Sequence, residues 1–353
     1  MRILVLGGTV FLGHEIAARA VERGHDVVCA ARGDSGRVPD GARLVRWDRT
    51  EEPPAELAEL RPDAVVDVAR VPSHVRRAVA AFPDAHWTFV STCNVYADEG
   101  KAGGTATSAL KEPITDDVDP ASSPEAYGRM KVACEQIVQR GTRGAFVVRP
   151  GLIVGPGDPS GRFAYWPAHA AAAAADGGPL LVPGEPDDPV QVIDVRDLAT
   201  WIVRSAESGA TGAYDGLAAP ITRTAFLAAL VDGLAAAGVA SDLDVRWMPT
   251  DRLAEAGVAE WSGPGSVPLW ISEPGWEGFM ARDVSASLAA GLAPRPLVDT
   301  VRDTHDWLRR QPDAVVTGLT RAEELDLVGR LGGESVGPPT SPPISPPTSP
   351  PIS

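Results

Sequence analysis

The sequence predicts an α/β protein with a doubly wound parallel sheet and a smaller C-terminal lobe. Over the first 150 residues, short apolar runs alternate with segments of helical periodicity, and parallel strands require such crossover helices. The first apolar run, at 2–6, ends in the glycine-rich turn GGTVFLG at 7–13. After residue 151 the alternation gives way to loops rich in glycine, proline and tryptophan, which favours a separate lobe.

The elements of the sheet follow one another in a regular order. The run at 2–6 leads through the glycine turn into a helix at 14–23, and a strand follows at 26–31. Further strands are predicted at 64–68, 87–90 and 145–148, and further helices at 55–60, 74–81 and 125–140. This rhythm indicates a parallel sheet covered by helices on both faces.

The second half contains two clear helical segments, near 167–175 and at 222–237. The segment at 190–215 is predicted to return the chain to the main sheet. Within it, Asp194 and Asp197 open a helical run, and their spacing is more typical of a helix N-cap than of a catalytic pair. The smaller lobe is therefore predicted to span 151–330.

The C-terminal residues form a low-complexity tail. From Pro338 the chain consists of four tandem copies of Pro-Pro-(Thr or Ile)-Ser. Such a composition cannot bury a core and favours an extended or disordered conformation. We place this tail at 331–353 and expect it to have no part in catalysis.

Composition favours a small-molecule partner in the cytoplasm. The 353 residues carry a formal net charge of −15, which opposes binding to nucleic-acid phosphates. Cys29, Cys93 and Cys134 lie in apolar contexts without metal-ligand spacing, so free buried thiols and no metal site are expected. The apolar run at 2–6 is too short for an export signal, and no later run is long enough to span a membrane.

The glycine turn has the composition of a phosphate-binding site. Glycines between a strand and a helix let the backbone turn tightly and bring its N–H groups close to a pyrophosphate. The helix N-terminus adds a favourable electrostatic field for the same anion. The sequence therefore predicts that residues 1–150 form a dinucleotide-binding domain.

A tyrosine and a lysine in the predicted helix at 125–140 form a second motif. Tyr127 and Lys131 lie four residues apart, so they share one helix face. A nearby ammonium group stabilises a phenolate and lowers its pKa from about 10, which would let Tyr127 exchange a proton with a carbonyl or alcohol oxygen. The pair is common on exposed helices, but here Ser91 and Thr92 follow a predicted strand ahead of it.

Taken together, these motifs resemble the extended or atypical short-chain dehydrogenase/reductases, the NAD-dependent epimerase/dehydratase family. The resemblance covers roughly residues 1–310 and implies a Rossmann-type sheet. The family fingerprint is G-x-x-G-x-x-G, which Gly7 and Gly13 match while Val10 takes the middle position. The methyl groups of Val10 are expected to push the loop outward or to weaken phosphate binding.

The same resemblance implies a catalytic trio of Thr92, Tyr127 and Lys131. The family places a hydroxyl four residues before a Val-Tyr tyrosine, here Tyr96, and Thr92 holds that position. Thr92 would hold the substrate oxygen, Tyr127 would exchange its proton, and Lys131 would bind the nicotinamide ribose and tune Tyr127. Ser91 is the neighbouring alternative and would point to the other face of a strand.

Cofactor contacts are implied at the ends of the strands. NADP is favoured because Arg32 stands where an NAD-binding acid is expected, while the nearby Asp34 keeps NAD as the alternative. Asp48 corresponds to an acid that holds the adenine, and 67–69 to the segment beside the nicotinamide ribose. The implied cofactor-binding residues are Gly7, Thr9, Phe11, Leu12, Gly13, Arg32, Asp48, Val68, Ala69, Lys131 and Pro150.

The leading functional hypothesis is an NAD(P)-dependent oxidoreductase that acts on a ketone or aldehyde and its alcohol, with 151–330 as the substrate lobe. One alternative is a sugar epimerase or dehydratase with transient hydride transfer, and another is a non-catalytic dinucleotide sensor or RNA-binding relative. The resemblance also suggests a homodimer. Two groups of residues are candidates for the substrate pocket or for packing of the lobe: Arg162, Phe163, Tyr165 and Trp166, and Trp261, Trp270, Trp276 and Phe279.

Overall fold

The computed structural model describes residues 1–119, 123–239, 242–332 and 334–336. The first 150 residues form β1 (Arg2–Leu6), α1 (Phe11–Glu22), β2 (Asp26–Ala31), β3 (Arg43–Arg46), α2 (Ala55–Ala58), β4 (Ala64–Asp67), α3 (Pro72–Ala81), β5 (His86–Val90), α4 (Pro124–Gly141) and β6 (Ala145–Pro150). A short 3₁₀ turn at Cys93–Val95 lies between β5 and α4.

The second half completes the fold. It consists of β7 (Leu152–Val154), α5 (Tyr165–Asp176), β8 (Leu180–Pro183), β9 (Pro189–Val190), β10 (Val192–Asp194), α6 (Val195–Ser208), β11 (Gly212–Gly216), β12 (Ile221–Thr222), α7 (Arg223–Ala236), β13 (Val245–Met248), α8 (Thr250–Glu255), β14 (Ala259–Glu260), β15 (Ser266–Val267), α9 (Ser285–Ala289), α10 (Leu297–Arg310), α11 (Arg321–Leu331) and β16 (Glu334–Val336).

The main sheet confirms the predicted fold class. Its seven strands run in the order β11-β6-β5-β4-β1-β2-β3, and every pairing between them is parallel. The strand order reverses between β1 and β4, which places the carboxyl ends of both strands at a topological switch point. Doubly wound sheets bind their ligands in the crevice at this point.

Both faces of the sheet are covered by helices, because successive side chains of a buried strand point to opposite faces. Ile3 and Val5 pack on one side with Ile16 of α1 and Leu198 of α6. The intervening residues of β1 pack on the other side with α3 and α4. The glycine turn after β1 is thereby fixed at the edge of a well-packed core.

The second half has a core of its own and also returns to the sheet. A separate apolar cluster joins α5, β8, α7 and β13. The segment 190–215 leads through α6, which packs on α1, to β11, which pairs with β6. Asp194 is the N-cap of α6 and accepts a bond from the Arg196 N–H, in agreement with the structural interpretation of this acid.

Regular structure extends past the predicted start of the tail at 331. Residues 334–336 form β16, which pairs with β13 because that strand has an open edge opposite β8. The rest of the predicted tail, 337–353, lies outside the described residues. All three cysteines are free and buried, as predicted. Within the described parts of the chain, none of the helices combines the length and hydropathy that crossing a bilayer requires.

Candidate active site

The glycine turn brings the start of α1 directly against the end of β1. A Cβ built on Gly13 would lie well inside 3.0 Å of the Gly7 carbonyl oxygen, so a larger residue at position 13 would push the helix away. Gly7 itself has φ +103°, a conformation that favours glycine. The two family glycines that are present therefore have physical roles in forming the turn.

Val10 occupies the middle fingerprint position without filling the turn. Its side chain is 41% exposed, and its backbone is extended as the N-cap of α1. The next residue, Phe11, begins the helix with φ +36°. The turn therefore still leads into the N-terminus of a helix of three full turns. This N-terminus lies beside tightly packed glycines, and such an arrangement fits a pyrophosphate group.

Arg32 and Asp48 lie together beyond the glycine turn. Both side chains are exposed. The Asp48 carboxylate accepts the N–H and the hydroxyl of Thr50, and these bonds together with the charge of Arg32 lower the pKa of Asp48. Sequence reasoning missed Arg46, which pairs in register with Ala31 at the end of β2 and reaches the neighbourhood of Gly33.

The end of β4 packs directly on the glycine turn. A Cγ atom of Val68 lies 2.6 Å from the position a Cβ of Gly7 would take. The preceding residue, Asp67, is fully buried and binds both terminal nitrogens of Arg49 at 2.7 and 2.8 Å. Its carboxylate also accepts the Ala69 N–H at 2.8 Å. The predicted pair Val68 and Ala69 is therefore held in place beside the glycine turn.

Lys131 joins helix α4 to the ends of two strands. Its Nζ donates to the carbonyl oxygens of Ala69, at 2.7 Å, and Val90, at 2.5 Å. It also lies 4.6 Å from the ring centroid of Phe89. Burial lowers the pKa of this ammonium group to about 8, because a low-dielectric environment disfavours the charged form.

Tyr127 lies one helical turn before Lys131 and interacts with Thr92. Burial raises the pKa of Tyr127, while a hydrogen bond with the Thr92 side chain and the positive charge of Arg70 oppose that rise. That Lys131 tunes Tyr127 stays a prediction: desolvation of the phenol dominates its pKa here, and the ammonium group is bound to main-chain carbonyls. Arg70, which sequence reasoning missed, follows the 67–69 segment directly.

Gly128 allows α4 to approach the turn that carries Thr92. A Cβ at position 128 would lie well inside 3.0 Å of the Asn94 carbonyl oxygen. Thr92 caps this 3₁₀ turn by accepting the Asn94 N–H. Of the two hydroxyl candidates, Thr92 faces the cavity described next, whereas the Ser91 hydroxyl is buried without a hydrogen-bond partner among the described residues.

A cavity of about 500 Å³ opens in front of Thr92 and Tyr127. It is lined by Thr92, Cys93, Asn94, Tyr127, Gly151, Leu152, Arg162, Glu260, Trp261, Ile271, Glu273, Trp276 and Phe279. The cavity thus joins the end of β5, the start of α4 and the second lobe. Such a mix of aromatic walls and a few polar groups is typical of small-molecule sites.

The aromatic residues of the second lobe divide between two roles. Phe163, Tyr165, Trp166 and Trp270 are buried in its core. The rings of Trp261 and Trp276 instead line the cavity and both meet Phe279 edge to face, at centroid distances of 5.5 and 5.3 Å. Half of the predicted pocket residues, Arg162 included, therefore reach the cavity.

Pro150 ends β6 just behind the cavity. It is buried and pairs in register with Gly216 of β11, and Gly151 after it lines the cavity. The preceding Arg149 binds both carboxylate oxygens of Glu135 on α4, at 3.0 and 2.7 Å. This buried ion pair fixes the strand end against the helix that carries Tyr127.

Comparisons with known proteins place these features in a family context. The profile of the NAD-dependent epimerase/dehydratase family matches residues 3–84 and 83–215. A 2′-dehydrokanamycin reductase of Streptomyces kanamyceticus is 34% identical over 186 residues, which are 49% of this chain and 50% of the relative. A dTDP-6-deoxy-L-talose 4-dehydrogenase (NAD(P)⁺) of Kitasatospora kifunensis is 30% identical over 183 residues, 45% of this chain and 54% of the relative.

The chain therefore spans about half the length of the curated relatives it matches. Among solved structures, the Bordetella bronchiseptica enzyme WbmH in complex with NAD⁺ superposes with a TM-score of 0.57 and 19% identity. That likeness covers 88% of this chain and 99% of WbmH. At this level of identity the likeness shows the fold.

The close approach at Gly128 predicts the effect of adding a single methyl group. Gly128→Ala should separate α4 from the Asn94 carbonyl, lower the free energy of unfolding by about 1–3 kcal/mol and weaken binding of a nicotinamide dinucleotide. The matched control is Gly329→Ala, also on a helix but with no atom within 4 Å of the new Cβ, which should be neutral or slightly stabilising. Urea unfolding and cofactor titration of both variants provide the measurement, and equal stabilities would contradict the packing argument.

The buried ammonium group of Lys131 predicts a pH-dependent stability. Its pKa is about 8 in the folded chain and near 10.5 in a model peptide, so between pH 8 and 10 the unfolded state binds more protons at this position. The free energy of unfolding of the wild type should therefore rise with pH relative to Lys131→Met, by at most about 1.4 kcal/mol per pH unit. Urea unfolding at pH 8, 9 and 10 measures this difference.

The control for this measurement is Lys101→Met, which removes an exposed ammonium group. A difference between wild type and Lys131→Met that stays flat from pH 8 to 10 would show that position 131 does not carry a desolvated charge.

Proposed function

The chain belongs to the NAD-dependent epimerase/dehydratase family, and from this premise we propose that it is an NADP-dependent oxidoreductase that interconverts a carbonyl compound and its alcohol. The observation that carries the proposal is the pairing of Thr92 and Tyr127 at one cavity wall, with Lys131 one helical turn away. In this proposal residues 1–150 and 190–215 bind the cofactor, and 151–330 contribute the substrate lobe.

The residues of the glycine turn, with Val68 and Ala69, would hold the dinucleotide. The bound nicotinamide would supply or accept the hydride. Thr92 would donate a hydrogen bond to the substrate carbonyl oxygen, and Tyr127 would deliver the proton that the developing alkoxide needs. Burial raises the pKa of Tyr127, so its phenol is protonated at neutral pH and can act as the acid in carbonyl reduction.

Lys131 would stabilise the charge that Tyr127 acquires after the proton has left. The ammonium group lies on the same helix face and is fixed by two carbonyl oxygens, so it is pre-organised for this task.

The relatives support a sugar-like substrate. One is named as a reductase, and the other is named as a dehydrogenase of a dTDP-linked deoxysugar. The flat rings of Trp261 and Trp276 offer apolar faces against which a sugar ring can pack. The family description also supports a second candidate, an epimerase or dehydratase, in which turnover would leave the cofactor absorbance at 340 nm unchanged.

The choice of NADP over NAD is supported by the basic edge beyond β2. Arg32 and Arg46 are both exposed there, and neither has an ion-pair partner among the described residues. A guanidinium group binds a phosphate through two parallel N–H bonds. The exposed Asp48 carboxylate, which accepts hydrogen bonds from Thr50, would contact the adenosine.

Removing the phenolic hydroxyl tests the proposed chemistry. Tyr127→Phe should leave the dissociation constant of NADPH within about twofold while lowering turnover by about 10² to 10⁴, the usual contribution of general acid–base catalysis. Fluorescence titration of NADPH and carbonyl reduction followed at 340 nm measure the two effects. Unchanged turnover in the variant would reject the assignment, and cofactor binding without turnover in the wild type would favour a sensor.

A second substitution tests the cofactor preference. Arg32→Ala should weaken NADPH binding about tenfold, the loss of one charge-assisted hydrogen-bonding pair, and leave NADH binding nearly unchanged. Arg61→Ala removes an exposed guanidinium group just before β4 and is the matched control. An unaltered ratio of the two dissociation constants would mean that another group recognises the 2′ position.

A further inference from the structure

Among the described residues that line the cavity in front of Thr92 and Tyr127, one side chain is positively charged, that of Arg162. It lies in the loop between β7 and α5 and is partly buried. The guanidinium carbon sits 5.0 Å from the ring centroid of Trp261. The position of this charge is therefore set by an aromatic wall of the cavity itself.

The inner edge of the guanidinium group is held by a serine. Nε of Arg162 donates to the Ser160 hydroxyl at 3.2 Å, and that hydroxyl in turn donates to Asp158 at 2.9 Å. Asp158 also accepts the Ser160 N–H, so its carboxylate is occupied by Ser160 and forms no ion pair with Arg162. Burial raises the pKa of Asp158, while the bonds from Ser160 and the charge of Arg162 oppose that rise.

The outer edge of the guanidinium group has no protein partner. Across the described residues, no carboxylate lies within ion-pair distance of Arg162 and neither terminal nitrogen donates to a protein acceptor. Burial lowers the pKa of Arg162, although the charge of Asp158 acts in the opposite direction. A charge desolvated in this way is costly unless a ligand supplies the counter-charge.

The two acidic residues of the cavity do not supply that counter-charge. The Glu260 carboxylate binds the N–H and hydroxyl of Ser272, and Glu273 is exposed. The groups that act on the pKa of Arg162 are Asp158 and the Cys93 thiol, not these glutamates. Arg162 lines the same cavity as Thr92 and Tyr127, so the cation faces the space in front of these two residues.

We propose that Arg162 determines the substrate specificity of this cavity by binding a carboxylate, so that the substrate is a sugar acid. The planar guanidinium fork matches a carboxylate through two parallel hydrogen bonds. Anchoring the acid at Arg162 fixes which ring carbon faces Thr92 and Tyr127. This inference rests on the proposed function, because it assigns the substrate class of the same site.

The test compares binding of three probes to the full chain by isothermal titration calorimetry, with and without NADP⁺. D-glucuronate carries the carboxylate, D-glucose is neutral, and D-glucosamine carries an ammonium group. Wild type should bind glucuronate at least about tenfold more tightly than glucose or glucosamine, because one charge-assisted hydrogen-bonding pair contributes about that factor to affinity. Arg162→Gln should abolish that preference, while Arg162→Lys should retain part of it.

The controls separate this inference from the proposed chemistry. Arg310→Gln removes an exposed positive charge from the end of α10 and should leave the preference intact. Arg162→Met keeps the aliphatic contact with Trp261, and thermal unfolding of each variant checks that the fold is retained. Tyr127→Phe should keep the glucuronate preference, since binding does not require the phenol.

Four outcomes would overturn the proposal: equal binding of glucuronate and glucose by wild type, tighter binding of glucosamine, a preference that survives Arg162→Gln, or binding of none of the three sugars. A glucuronate preference without reductase activity would instead reject the proposed reaction and leave the carboxylate site standing.

Discussion

The ammonium group of Lys131 is the interaction on which the geometry of the site depends. It is 2% exposed and binds the carbonyl oxygens of Ala69 and Val90. These carbonyls lie at the carboxyl ends of β4, which borders the topological switch point, and of its neighbour β5. One side chain therefore ties helix α4 to the edge where the glycine turn lies. Tyr127, one helical turn earlier, takes its position from this connection.

The absence of a side chain at Gly128 also lets α4 approach the turn that carries Thr92. Without a side chain there, α4 contacts the carbonyl of Asn94 in the turn that Thr92 caps. The attraction at Lys131 and the close approach at Gly128 act one turn apart, so together they fix both the depth and the rotation of the helix. The phenol of Tyr127 is thus brought to Thr92 by contacts that involve main-chain atoms of other elements.

Local patterns in the sequence predicted much of the fold and part of the candidate site. Alternation of apolar runs and helical periodicity predicted the sheet. The spacing of Tyr127 and Lys131, together with the family resemblance that implied Thr92, predicted which side chains would gather near its edge. The carbonyl partners of Lys131, the proximity of Arg70 to Tyr127 and the rise in the pKa of Tyr127 could not be predicted, because they depend on burial and on contacts between distant segments. The strands of the second lobe could not be predicted for the same reason. β8, β13 and β16 form one sheet, but they come from widely separated segments with little periodicity in their apolar residues.

Backbone strain gives independent support for the location of the site. The described residues contain three non-glycine positions with positive φ, namely Phe11 at +36°, Trp261 at +67° and Leu269 at +59°. Phe11 begins the helix behind the glycine turn, and Trp261 is the ring on which Arg162 stacks. Such conformations cost about 1–3 kcal/mol each and persist where the surrounding structure enforces them. Two of the three thus occur where the cofactor and the substrate are expected to bind, and sequence patterns gave no indication of this strain because neither phenylalanine nor tryptophan favours it.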